Sequence, residues 1–275
     1  MVLTHRFLLL SLLFFNAQAG RDCYQIRQES ILINWYTKNC CKYNVLKDWI
    51  RDIADLNRRL FSVRVWRPLS LCIPIYAASR SADEKINCIY YDKEKHKNLS
   101  SLPKCIPAGL NASVTAVSVL FGALRFFTDK PDLQLTSNIF AKGSLSIWLT
   151  KNLIKNSVQL KICQRPKCED FDHKCIYYGG FPSWHMAVCT YLASWFWMRQ
   201  GPKWGLPLTL YTGAVFGASL AGNRHYLSQL VGGVMLGLGF TFASKYMLKA
   251  KLKSYLECNP TFDGKKLGVE ISYAF

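Results

Sequence analysis

The chain has 275 residues, half of them hydrophobic, with a formal net charge of +18. That length fits one large domain, or one domain with a small appendage, and that apolar content excludes a disordered chain. The charge favours anionic partners such as phosphate esters, anionic lipid or a polyanion. The sequence carries no nucleic-acid module, no zinc-finger spacing and no Walker-type glycine loop, so no nucleic-acid partner is expected.

At the N-terminus, Arg6 precedes the short apolar run Phe7 to Phe15, and Ala17-Gln18-Ala19 follows. This order reads as a cleaved secretory signal over residues 1–19, since the run falls well short of the roughly 20 residues a membrane span needs. An exported chain meets an oxidising compartment. The eleven cysteines therefore read mainly as disulfide partners. Cys189, inside an apolar helical stretch, reads as a buried free thiol. Cys163, Cys168 and Cys175 lack a Cys-x-x-Cys pair and are read as disulfide partners, not metal ligands; neither metal nor cofactor is expected.

Residues 20–105 are polar and cysteine-rich, and read as a disulfide-stapled cap or lid. Residues 106–250 form an apolar helical core, followed by a tail over 251–275. Hydrophobic periodicity predicts helices over 110–127, 138–157, 183–199, 206–221 and 228–249. Asp129-Lys130-Pro131-Asp132 ends the first, and Arg199-Gln200-Gly201-Pro202 separates the third from the fourth. The fold class is all-α, a helical bundle with a disulfide-rich N-terminal region. Lys142, Lys151 and Lys155 make 138–157 a poor membrane span, while 228–249 is the best candidate. A soluble exported bundle is favoured because it leaves Cys258 available for pairing, with membrane association as the alternative.

Three polar elements interrupt the core. Gly179-Gly180-Phe181-Pro182-Ser183-Trp184-His185 opens a helix with a serine and free backbone N–H groups, an arrangement suited to phosphate, and places His185 in the first turn. Gly222-Asn223-Arg224-His225-Tyr226-Leu227-Ser228-Gln229 lies between two apolar helices, with Gln229 one turn beyond His225. Arg165-Pro166, preceded by Lys155 and Lys161, lies in the loop before the third helix. Taken singly, each has a bland reading as a helix cap or a surface histidine.

In this order and spacing the elements resemble the type-2 phosphatidic acid phosphatase and haloperoxidase superfamily over roughly residues 140–245. That family's pattern is Lys-x6-Arg-Pro, then Pro-Ser-Gly-His, then Ser-Arg-x5-His-x3-Asp. The resemblance implies a helical bundle that cleaves phosphate esters without a metal. His225 would be the nucleophile and His185 the general acid and base. Arg165, Ser183, the Trp184 N–H and Lys155 or Lys161 would hold the phosphoryl oxygens. Gln229 would orient His225.

This chain departs from the pattern at four places. Trp184 replaces the glycine, so a large ring stands beside the phosphate, where it can stack on a substrate or seal the pocket. Gln229 replaces the aspartate; an amide can hold the histidine tautomer but cannot offset its charge. The family's Ser-Arg falls at Ala218-Ser219, so that arginine is absent, and Arg224 is the candidate substitute. Val158 stands where the lysine belongs.

Together with the signal reading of residues 1–19, the resemblance implies an exported phosphatase acting on phosphate monoesters or lipid phosphates. The alternatives are a non-catalytic phosphate- or lipid-binding relative and a head-group or phosphoryl transferase. Substrate identity stays open between a phosphorylated small molecule and a phospholipid.

Overall fold

The computed structural model describes residues 45–92, 97–103, 105–157, 180–255, 258–262 and 267–271. The expected signal segment, Lys161, Arg165 and the side chain of Lys155 lie outside the described part.

Three helices precede the core. α1 (Val45–Leu60) carries Asp48 in its first turn and Arg58 and Arg59 in its last, complementing the helix dipole, and buries Leu56 and Leu60 one turn apart. α2 (Val63–Leu69) follows a tight break, then α3 (Cys72–Tyr90) runs into a short antiparallel pair, β1 (Tyr91–Asp92) with β2 (Lys97–Asn98). All three helices pack on α8, defined below. The core then comprises α4 (Cys105–Phe127), α5 (Pro131–Ser157), α6 (Trp184–Gln200), α7 (Pro202–Ala221) and α8 (Leu227–Tyr255), with a terminal hairpin of β3 (Cys258–Phe262) and β4 (Leu267–Ile271).

Expected and observed core helices coincide closely. The largest difference is at α5, which begins at Pro131 instead of residue 138. Proline suits a first helical position because its missing N–H would have no intrahelical partner there. Gly201, at φ 77°, closes α6, and Pro202 opens α7.

α6 is the central helix. It is buried without interruption from Met186 to Phe196, as expected of a helix apolar on every side. α5 lies antiparallel to it: Trp195 Nε1 donates to the Thr136 carbonyl at 3.0 Å, and the Tyr191 hydroxyl donates to that of Ile139 at 3.1 Å. α8 runs parallel to α6, because Gly233 sits beside Met186 and Ala187 while Gly237 sits beside Thr190 and Tyr191. The N-termini of α6 and α8 therefore share one end of the bundle.

The disulfide expectation needs correction at the cysteines whose side chains are described; Cys23, Cys40, Cys41, Cys163, Cys168, Cys175 and the side chain of Cys258 lie outside the described part. Cys72, Cys88 and Cys105 are free thiols, as is Cys189, whose burial agrees with the expectation for it. Cys72 sits in the core formed with Leu56, Leu60 and Leu69. The part of the N-terminal region described here is held by helix packing, and no disulfide occurs among the described residues. Among the described residues two segments, α4 and Leu227–Lys251, are long and apolar enough to cross a membrane. They differ in setting. The α8 segment is 78% buried in the bundle and α4 only 17%. Val119, Leu120, Phe126 and Phe127 of α4 face outward, with Leu153 of α5 and Leu210 of α7 also exposed.

Candidate active site

The turn joining α7 to α8 carries the second histidine. The N–H groups of Gly222, Asn223 and Arg224 donate back to the carbonyls of Ala218, Leu220 and Ser219. Asn223 adopts φ 49°, a left-handed conformation that asparagine tolerates better than most residues. This tight reversal delivers His225 to the start of α8 with only 5% of its surface exposed.

Gln229 is completely buried one turn later. Its Oε1 lies 3.3 Å from the Tyr226 backbone nitrogen and 3.2 Å from His225 Nδ1. The Tyr226 N–H can only donate, so the atom facing both groups is an acceptor. The His225 contact then requires hydrogen on Nδ1, leaving Nε2 as the ring nitrogen with a lone pair. The Tyr226 phenol is shifted above its ordinary pKa, first by burial and then by the carboxylates of Glu84 and Asp83.

The first motif packs directly onto this turn. Ser183 N–H donates to the Gln229 carbonyl at 3.1 Å. A Cβ on Gly180 would collide with the Gln229 amide, and one on Gly233 would collide with the Ser183 carbonyl. Both glycines are required by close approach. The Phe181–Pro182 bond is cis. Ser183 occupies the N-cap of α6 but makes no capping bond. Its buried hydroxyl has no hydrogen-bond partner among the described residues, and the buried Trp184 indole N–H is likewise unpartnered. Two spare donors at a helix N-terminus, beside the N-terminus of a second parallel helix, form an environment suited to an anion. His185 is half-buried in the first turn of α6, with the Trp184 ring edge-on to it at 5.1 Å between centroids. Trp184 therefore packs on the imidazole.

The remaining expected residues divide as follows. Arg224 is half-buried in the turn beside His225. Lys155 stands on the last turns of α5, at the end of the bundle that holds the α6 N-terminus, while Lys161 and Arg165 are outside the described residues. Ser219, where the family places an arginine, is fully buried and bonded to Asn111 Oδ1 at 3.1 Å, so its position is used for packing α7 on α4. Among the described residues no group of three or more His, Cys, Asp or Glu side chains could hold a metal ion.

Sequence reasoning missed Asp83 of α3. Its carboxylate, only 3% exposed, accepts both the backbone N–H and the hydroxyl of Ser228, at 2.8 and 2.6 Å. It lies 145 residues from that partner, and no local pattern marks it.

The PAP2 superfamily model matches residues 135–253. No curated protein matches the chain. Among solved structures, the fold is similar to a transmembrane PAP2-type phosphatidylglycerolphosphate phosphatase from Bacillus subtilis, with a TM-score of 0.50 and 18% identity, over 69% of this chain and 98% of that one. The family match spans α5 through most of α8 and includes both histidine motifs, and the fold match agrees with it: residues 135–253 belong to the PAP2 superfamily.

Proposed function

We propose that this protein is a membrane-associated phosphatase that cleaves phosphate monoesters, with lipid phosphates as the favoured substrate class. The observation that carries the reading is the His225–Gln229 arrangement next to the Ser183 hydroxyl, which has no partner among the described residues: a nucleophile in the required tautomer, beside two spare donors at the N-terminus of α6. In the proposed reaction the Nε2 lone pair of His225 attacks phosphorus. The bond from phosphorus to the ester oxygen breaks, and His185 gives its proton to the leaving oxygen. His185 then takes a proton from water, whose oxygen attacks the phosphohistidine and releases inorganic phosphate. Ser183, the α6 N–H groups and Arg224 hold the phosphoryl oxygens, joined by Arg165 and by Lys155 or Lys161.

The preference for lipid phosphates rests on the exposed apolar residues of α4 together with Leu153 and Leu210, a surface suited to contact with lipid. It also draws on the phosphatidylglycerolphosphate specificity named for the similar structure. We propose that the chain is exported through residues 1–19 and that residues 20–105, 106–250 and 251–275 act as N-terminal region, catalytic core and tail.

The test compares wild type with His225→Ala and His185→Ala on p-nitrophenyl phosphate and on phosphatidic acid in mixed micelles. Both variants should lose activity by at least about 100-fold, the usual share of a positioned acid–base group. An acid-labile phosphoprotein should form in wild type and not in His225→Ala. Equal turnover in the three proteins would sink the reading. Resistance to alkaline carbonate extraction tests the membrane assignment.

A further inference from the structure

The α3 helix lies outside the family match, yet it touches both motif segments. Its residues 76, 80 and 83 share one face at helical spacing. Tyr76 meets Phe181, directly before Pro182-Ser183, with ring centroids 5.8 Å apart. Asp83 meets Ser228, which stands between His225 and Gln229 in the first turn of α8. Arg80 completes the set, its guanidinium 2.9 Å from Asp83 Oδ2.

The carboxylate is well matched to this place. The first N–H groups of a helix have no intrahelical acceptor, and the positive end of the dipole favours an anion. Asp83 satisfies the Ser228 N–H and hydroxyl together, which fixes the turn in both position and rotation. The same turn must hold the Gln229 oxygen within reach of both Tyr226 N and His225 Nδ1. Gln229 is neutral, so the buried negative charge at this turn is supplied by Asp83 from another helix.

We propose that Asp83 is a positioning residue for His225, acting through Ser228 to hold the α8 turn so that Gln229 keeps the imidazole in its Nδ1–H tautomer. The proposal rests on the reading of His225 as the nucleophile. It assigns the α3 helix a part in the active site.

The test uses the full chain as wild type, Asp83→Ala, Asp83→Asn, Ser228→Ala and His225→Ala. Histidine side-chain nitrogen NMR on protein labelled at histidine reports the His225 tautomer, with the His225→Ala spectrum giving the assignment. Steady-state kinetics on p-nitrophenyl phosphate report turnover. Asp83→Ala should shift the His225 nitrogens toward a tautomer mixture and lower kcat about 10- to 100-fold, as expected for losing bonds to a charged group, with KM changed far less. Asp83→Asn keeps an acceptor for the Ser228 N–H and should recover much of the loss. Ser228→Ala, which removes only the hydroxyl bond, should fall between. If Asp83→Ala does not fold, the last two variants carry the test through the same readouts.

Unchanged His225 resonances in folded variants would overturn the proposal, as would activity that falls only in proportion to the unfolded fraction. If wild type shows no activity that His225→Ala abolishes, the nucleophile reading fails on its own. The nitrogen spectra would still decide whether Asp83 holds the imidazole.

Discussion

Ser183 occupies a position where serine ordinarily contributes about 1 kcal/mol by capping a helix. Here the hydroxyl makes no such bond and is buried without a partner among the described residues. Leaving a buried polar group unsatisfied costs about 1–3 kcal/mol, so the residue is held against local stability. Ser183→Ala should leave the melting temperature unchanged or raise it, while weakening inhibition by inorganic phosphate. A clear drop in melting temperature would show that the hydroxyl is structural, and unchanged phosphate inhibition would remove it from the site. At this scale the sequence was informative where a residue's role is local. His185, Ser183, His225 and Gln229 fall within two short motifs, and the structure brings both motifs into contact. It was silent where the partner is remote. Asp83 belongs to a segment read as a cysteine-stapled cap, and its contact with Ser228 depends on how α3 packs on α8.

Among the elements, α6 and α8 approach each other closely because Gly233 and Gly237 present no side chain. A Cβ at Gly237 would press on the Ala187 carbonyl and on Thr190. Gly213 and Gly217 of α7 face open space. The same substitution should therefore act in opposite directions. Gly237→Ala should destabilise by about 1–3 kcal/mol through overpacking, whereas Gly213→Ala should stabilise by up to about 1 kcal/mol through lower backbone entropy in the unfolded chain. Chemical denaturation of the two variants measures this, and equal effects would refute the packing argument. The core helices were legible because long apolar stretches end at Gly201-Pro202 and near Pro131. The start of α5 was misplaced because Pro131 was taken as a terminator when it is the first helical residue. The helices α1 to α3 escaped notice because charge and cysteine content drew the reading toward a disulfide scaffold. Their apolar stripes, such as Leu56 and Leu60, are narrow.

In the whole molecule, α1, α5 and α8 are tied by a buried ion cluster outside the two histidine motifs. Asp52 receives Lys142 Nζ at 2.6 Å and Lys251 Nζ at 2.5 Å, and the Trp49 ring lies 5.6 Å from the Lys142 ammonium. Burial by itself would raise the Asp52 carboxyl, but the charges of Lys251 and Lys142 outweigh it and hold the group below the ordinary carboxylate value. A carboxyl with a lowered folded-state pKa adds stability above its unfolded value, near 3.9, and that contribution disappears as pH falls through the folded value. Removing the carboxylate leaves buried Lys142 without its counter-charge, and breaking a buried pair in this way costs about 3–5 kcal/mol. Asp52→Asn should therefore melt well below wild type at neutral pH. The gap should stay constant down to about pH 4 and narrow as wild-type Asp52 takes up its own proton. Melting followed by circular dichroism across pH 2–8 tests this. A gap that persists undiminished at the acid end would mean that Asp52 contributes through packing and not through its charge.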